Sequence, residues 1–439
     1  MTKETHGRRI AEALRLGEGV SVTIRGWVRK KTNSPGMIIL RVADSTGAMT
    51  VVISKARSTE LYEQATKLNI ETSVVLTGLT RKNPSPEGGL EVDVTEVSWY
   101  STSKPLPVPL QGQDPENDES IALRHIYIRG DRMQPILKIR HTVFNSIRDF
   151  FVAKGYYEVH PPLLVRDKIV SHYGNLTFHV KYFEREDVRL PPSKQFYLEA
   201  LMFSLENVFT IAPSFRAETS KTRKHLTEFW DIEAAAAWMR LEEIMDFQEE
   251  LLAHVIGKTL NNNAEELALL KRDTELLEKA MPPLPRISYD KAIQILRSRG
   301  LTTSWGDDFS IREERELSFE LEKPVLVHHP PEGLRSFVHK NDKSRPETVL
   351  SVDMLAGEGY GELGGGGERI HEEREMIDKM KKRGLDPNNY SWYLDLRRYG
   401  SVPHSVFGVG ADRYIMWLCG AKDVREVIPF PRDAETLEP

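Results

Sequence analysis

The stretch Phe209–Glu233, FTIAPSFRAETSKTRKHLTEFWDIE, decides how the rest of the chain is read. It has the pattern of a strand, a basic loop and a second strand. Arg216 and Glu218 stand at the end of the first strand with only Ala217 between them, so both side chains point to one face. Arg223, Lys224 and His225 follow in the loop. Phe229 and Trp230 open the second strand, and Asp231 and Glu233 come after. Such a set suits a nucleoside triphosphate. The arginine can hold a phosphate, the glutamate can accept from an amino group, and the ring can stack on a base. An ordinary hairpin with a surface ion pair uses the same residues, so the decision rests on what surrounds the stretch.

With 439 residues, the chain is long enough for two or three domains and a large core. Its residues are 28% charged and 40% hydrophobic, the balance of a globular protein. The net charge of −5 excludes a globally basic surface. A nucleic-acid partner therefore needs a local patch. Cys419 is the single cysteine, which rules out an internal disulfide and a cysteine-cluster zinc site. The N-terminal residues carry no apolar signal core, and no run approaches the roughly 18 apolar residues of a membrane span. The expected location is cytoplasmic, with no membrane partner.

Residues 1–103 carry five strand patterns: Val20–Lys30, Met37–Val42, Ala48–Ser54, Ser73–Thr80 and Leu90–Tyr100. A helical stretch, Glu60–Leu68, lies between the third and the fourth. That order predicts an OB-fold barrel, a fold that binds oligonucleotides on one face. Arg25, Arg29, Lys30 and Lys31 supply a local basic patch or simply a solvated strand end. Residues 104–130 form a linker, opened by the stiff Lys104-Pro105-Leu106-Pro107-Val108-Pro109. Residues 131–439 are expected to form one large α+β domain. Its predicted elements include a helix over Ile136–Val152, a strand over Tyr156–Val159 and a helix over Leu241–Leu260. Helical segments are expected over Ala264–Ala280 and Tyr289–Arg299, and strands at Val325–His328, Ser336–Lys340 and Thr348–Leu355. A glycine run, Gly357–Gly367, leads into a helix over Ile370–Arg383, and a last strand runs into a helix at Ala411.

Three motifs occur in order in this second domain: EVHPPLL with Pro162, FRAE…HLTEFW, and GVGADR with Arg413. Together with YLDLRRYGSVPH and IPFPR, they make the chain resemble a class II aminoacyl-tRNA synthetase. The aspartyl/asparaginyl group is the nearest, and within it the archaeal kind of asparaginyl enzyme. The likeness covers nearly the whole chain, barrel included. It implies a catalytic domain built on an antiparallel sheet with flanking helices, and a homodimer.

The resemblance also implies site roles. Arg216 would bind the α-phosphate and the amino-acid carboxylate, and with Arg413 it would be catalytic. Glu218 would accept from the adenine amino group, and Phe229 would stack on adenine. Arg413 would lie against the other face of the base or on the γ-phosphate. His225 belongs to the loop that closes over the triphosphate. Asp353 and Glu362 match two acidic positions for Mg²⁺ bound to ATP. Arg369 matches the arginine that holds the substrate's side-chain carbonyl or carboxylate. Where aspartate enzymes carry a lysine this chain has Leu198, followed by Glu199, as asparagine enzymes do. A carboxylate beside the substrate favours a neutral amide.

Some positions depart from the family. The glutamate that grips the substrate's α-amino group is His172 here. The family's TQS before the retained Gln195 becomes Pro191-Pro192-Ser193, followed by Lys194. A pocket glycine becomes Val406, and Gly366-Gly367 is followed by Glu368. Losing a carboxylate opposite an ammonium removes a charge-assisted bond, on the order of 1.5–3 kcal/mol. In the barrel, a phenylalanine that stacks on an anticodon base corresponds to Ile39, and a glutamine that reads it corresponds to Thr50.

Two functions therefore stand as expectations. The first is an ATP-dependent ligase that activates asparagine, or a relative such as aspartate, as an adenylate and charges tRNA. The second is a repurposed amide ligase that passes the activated amino acid to a small amine. A non-enzymatic paralogue fits poorly, because Arg216, Glu218, Asp353, Glu362 and Arg413 are all present.

Overall fold

The computed structural model describes residues 7–84, 88–110, 121–166, 176–219 and 222–438. His172 lies outside the described residues. The chain forms two compact units, one ending at Pro109 and the other beginning at Leu110.

The first unit is a closed barrel of β1 (Ser21–Ser34), β2 (Met37–Asp44), β3 (Gly47–Ser54), β4 (Ser73–Lys82) and β5 (Leu90–Ser101). The strand order is β1-β2-β3-β5-β4, and the helix Thr59–Thr66 bridges β3 and β4. Strand alternation places Val22, Ile24 and Val28 in the interior with Ile38, Leu40 and Val42. The same alternation turns Ile39, Arg41 and Thr50 outward, where Arg41 Nη1 donates to Thr50 Oγ1 at 3.3 Å.

The second unit is organised on one eight-stranded sheet. In chain order its strands are β6 (Tyr157–Glu158), β10 (Asn207–Phe215), β11 (Glu228–Ala237), β12 (Arg286–Ser288), β13 (Val325–His328), β14 (Ser351–Ala356), β15 (Gly361–Arg369) and β16 (His404–Gly410). Between β6 and β10, a small sheet is made by β7 (Val165–Arg166), β8 (His179–Tyr182) and β9 (Arg185–Arg189). The large sheet runs β12-β13-β14-β15-β16-β11-β10-β6, with parallel pairs only at its two edges.

Alternation gives the sheet two unlike faces. Ile232, Ala234, Phe407, Val409, Val352 and Met354 join one buried core with the helices Met133–Ala153, Leu241–Asn262 and Ala411–Cys419. The opposite face carries Phe229, Asp231 and Glu233 on β11, Gly408 and Gly410 on β16, Gly365 on β15 and Asp353 on β14. The register sets Glu233 against Gly408, Gly408 against Gly365, and Gly365 against Asp353. A Cβ at Gly408 would stand 2.9 Å from the Ile232 carbonyl, and one at Gly365 would stand 2.6 Å from Asp353 Oδ1. Glycine keeps that face open.

Several expected elements differ. From Gly361 on, the glycine run is itself strand β15, because the neighbouring strands approach too closely for side chains. Gly366, for instance, leaves only 2.3 Å between an added Cβ and Phe407 Cβ. The following helix starts at Glu373, not Ile370. Ser336–Lys340 is not a strand. Phe337 and Val338 are adjacent and both buried, which a turn allows and strand alternation does not. The helix expected over Ala264–Ala280 is two helices, Ala264–Leu269 and Thr274–Lys279. Lys271 takes a left-handed φ of 58° between them, and the Asp273 side chain caps the second. Finally, β10 stops at Phe215. Arg216 and Glu218 lie just beyond it, and Arg216 N donates to the Thr227 carbonyl at 2.9 Å.

Candidate active site

The open face of the sheet floors a cavity of about 250 Å³. At one end stand Arg216, Glu218, His225, Phe229 and Arg413; at the other stand Gln195, Arg369 and Val406. Glu362 lines it as well, and Asp353 faces an adjoining recess of about 120 Å³ that Glu362 also lines. Side chains far apart in sequence meet because β11, β15 and β16 are neighbours and their alternation is in phase.

At the first end, the Arg216 guanidinium lies 5.2 Å from the centre of the Phe229 ring. Arg413 Nη1 donates to Glu362 Oε2 at 3.2 Å. His225 Nε2 is 4.0 Å from Glu218, and its Nδ1 meets Thr222 Oγ1. Burial and the neighbouring Arg413 push the His225 ring below its usual pKa, although Glu218 pulls the other way. Arg335 pairs with Asp353, and Lys224 pairs with Glu314. Burial raises the Asp353 carboxyl; Arg335 opposes this and the nearby charge of Glu362 adds to it. Glu362 moves the opposite way: burial would raise it, but Arg413, Arg335 and Arg216 together bring it down.

At the second end, Arg369 Nη2 donates to Gln195 Oε1 at 3.2 Å, and Arg369 Nη1 to the Gly367 carbonyl at 3.0 Å. Glu199 is wholly buried in an ion network behind Arg369. It receives Arg397 Nη2 at 2.6 Å, the Tyr393 hydroxyl at 2.8 Å and His404 Nε2 at 3.0 Å, with Arg369 Nε 4.0 Å away. A carboxylate buried at this depth must be compensated, and these four groups do so. Burial pushes its carboxyl up, but Arg397, His404 and Arg369 outweigh that and bring it down to about 2. Val406 packs with Leu198, Met202, Val208 and Ala235 and makes an apolar wall. Glu368 faces the other side of the sheet, where it accepts from Arg240 Nη1 and the Leu241 amide, both at 3.1 Å. Its change from the family pattern is thus tied to a helix start and not to the cavity.

Some cavity groups had no assigned role in the sequence. Asp231 and Glu233 line it, and their spacing from Phe229 by two and four residues was the available signal. Glu314 and Arg335 come from the helix Ile311–Leu321 and from the end of a short 3₁₀ turn, and nothing local marks them.

A largely antiparallel sheet flooring a cavity with Arg216 and Arg413 at one end and Arg369 and Gln195 at the other is the arrangement expected of an adenylate-forming ligase. Comparison with known proteins agrees. The model of the class II tRNA synthetases (D, K and N) matches residues 116–434, and an OB-fold nucleic acid binding domain model matches residues 22–99. The asparagine–tRNA ligase of Thermococcus gammatolerans is 40% identical over 422 residues, covering 96% of this chain and 97% of its own. The crystal structure of asparaginyl-tRNA synthetase from Pyrococcus horikoshii with asparaginyl-adenylate superposes with a TM-score of 0.92 at 37% identity, over 99% of this chain and 100% of that one. The Entamoeba histolytica asparaginyl-tRNA synthetase gives 0.88 at 28% identity, again over 99% and 100%. The chain belongs to the class II tRNA synthetase family. It is an aminoacyl-adenylate-forming ligase that uses ATP. No described helix is long and apolar enough to cross a membrane.

Proposed function

We propose that this chain activates asparagine and charges tRNA with it in the cytoplasm. The observation that carries this reading is the pairing of Arg369 with Gln195 at a cavity end walled by Val406, with Leu198 buried in the core and Glu199 compensating Arg369 from behind. Arg369 and Gln195 offer donors and an acceptor to an amide. A second carboxylate in the substrate would face the nearby charge of Glu199.

In the first step a substrate carboxylate oxygen bonds to the α-phosphorus of ATP, and the bond from that phosphorus to the bridging oxygen breaks, releasing pyrophosphate. Arg216 holds the α-phosphate and the carboxylate, and Arg413 holds the far phosphates. Phe229 stacks on adenine, Glu218 accepts from its amino group, and His225 closes over the triphosphate. In the second step a ribose hydroxyl of tRNA attacks the acyl carbon and AMP leaves. Asp353 and Glu362 are hard oxygen donors at the edge of the cavity and fit Mg²⁺. Among the described residues no three His, Cys, Asp or Glu gather as a metal-holding group, so Asp353 and Glu362 would hold the ion together with the bound triphosphate. Such an ion would neutralise phosphate charge. On the barrel, outward Ile39 and Thr50 supply no stacking ring, worth roughly 1–3 kcal/mol per base, so anticodon reading there is weak.

The test is ATP–pyrophosphate exchange over a panel of amino acids, followed by discharge of the adenylate. Asparagine is expected to give the highest exchange, chelation of divalent cations to stop it, and tRNA to take the acyl group. Exchange followed by transfer only to small amines would overturn the tRNA acceptor.

The protein is also proposed to act as a homodimer. Val152 on the helix Met133–Ala153, Tyr157 on β6 and Leu164 in the loop after it are exposed apolar side chains, the kind of residue a second copy would cover. Light scattering is expected to give twice the chain mass, and a monomer at micromolar concentration would contradict it.

A further inference from the structure

Lys194 is a charged residue with no exposed surface, placed directly behind the carboxylates of the cavity floor. Its Nζ donates to Ser214 Oγ, lies 3.4 Å from the carbonyls of Ala212 and Pro213, and is 3.9 Å from Glu233 Oε2. Its backbone amide donates to the same Glu233 oxygen at 2.7 Å. Ser214 in turn hydrogen-bonds the Asp231 carboxyl. The ammonium is anchored on β10 and does not reach the cavity. A buried lysine of this kind is costly unless anions compensate it, and Asp231 and Glu233 are those anions.

Two carboxylates against one buried ammonium leave one negative charge that Lys194 does not balance, with Arg216 facing it and, in the proposed function, taken up by the substrate's carboxylate. Its place along β11 identifies what it faces. Residues two apart on a strand are about 7 Å apart, so Asp231 and Glu233 lie one and two such steps from Phe229, toward the Arg369 end. That is the middle of the substrate, where an amino acid carries its α-carbon. The carboxylate there goes to Arg216, and the ammonium needs an anion. Position 172 holds a histidine, which offers none. Glu233 has one oxygen taken by the Lys194 amide and is buried, whereas Asp231 is partly open to the cavity.

Building on the proposed amino-acid activation, we propose that Asp231 receives the substrate's α-ammonium and that Lys194 is the positioning residue that holds Asp231 in place and ionised. The groups facing Asp231 are Lys194, Ser214 and Arg216, with Glu233 on its own strand; β16 opposes it with Gly410, which carries no charge. Burial pushes its carboxyl up, Lys194 and Arg216 pull it down, Glu233 pushes it up, and the balance is a rise to about 6.

The test is pyrophosphate exchange by the full chain with asparagine and with 3-carbamoylpropanoate, which is asparagine without its amino group. The unaltered protein is expected to prefer asparagine strongly. Asp231→Asn is expected to cut the ratio of the two kcat/KM values by about 10- to 100-fold, chiefly through KM for asparagine. In the unaltered protein that KM is expected to rise below pH ~6, as Asp231 takes up a proton. Lys194→Met moves this rise to higher pH, and adding Asp231→Asn to it removes the rise. A purely structural role would depress both acids alike and leave the ratio and the pH profile in place; that result overturns the inference. An unchanged asparagine KM in Asp231→Asn overturns it too, while exchange itself stands. If the unaltered protein exchanges with no amino acid, the proposed function fails and this inference fails with it. Should Lys194→Met not fold, the nearly isosteric Asp231→Asn decides alone.

Discussion

Arg216→Ala is expected to lower the rate of pyrophosphate exchange by at least about 10²–10³-fold. The side chain sits at the cavity wall with its guanidinium over Phe229, within reach of both reactants in the proposed mechanism. Charge builds on the α-phosphate as the carboxylate attacks, and a pre-placed cation stabilises that charge more than it stabilises the bound substrates. The loss should therefore fall on kcat as well as on KM. Arg216 is partly exposed to the cavity and fills no core, so the thermal unfolding temperature should hardly move. Unimpaired exchange would mean that the triphosphate is held elsewhere.

Glu199→Gln is expected to be the most destabilising single change near the site, by about 3–5 kcal/mol. Arg397 and Glu199 are both fully buried and 2.6 Å apart. Removing the carboxylate's charge leaves the Arg397 guanidinium, hydrogen-bonded to Tyr393, buried without its anion, and His404 loses the same partner. Denaturant titration should show the lower midpoint, and KM for the amino acid should rise because Arg369 loses its backing charge. The same network predicts a pH effect. The Glu199 carboxyl is depressed in the folded protein, from 4.5 to about 2. Its contribution to stability is therefore present above about pH 4.5 and is lost as pH falls through about 2, on the order of 3 kcal/mol in all. A midpoint shift below about 1 kcal/mol would show that water reaches and screens the network.

Much of this was legible in the sequence because it is local. Alternation in Val22, Ile24 and Val28 marks a barrel strand without any tertiary information, and the three motifs mark the catalytic unit. At one end of the cavity, Arg216, Glu218, His225 and Phe229 lie within a single hairpin and could be read together, and only Arg413 comes from elsewhere. The other end was harder, since it is assembled from β11, β15, β16 and the helix Gln195–Leu205. Glu199 shows the difficulty. Its type and its place after Leu198 were readable, but whether it faces substrate or supports Arg369 depends on Arg397, about two hundred residues later. Glu368 misled in the opposite way. It follows Gly367 in a cavity strand, yet strand alternation turns it to the far face and onto Arg240.

The sequence by itself determined the two folds and the class of chemistry, because short-range periodicity and compact motifs carry those. Only the tertiary structure decided which side of a strand each charged residue takes and which ions share a buried space. Burial raises the stakes of each such pairing, and no linear spacing predicts it. From the stretch Phe209–Glu233 alone, Arg216, Glu218 and Phe229 suit a nucleotide as well as an ordinary hairpin, whereas the role proposed for Asp231 rests on Lys194 behind it, which only the fold places there.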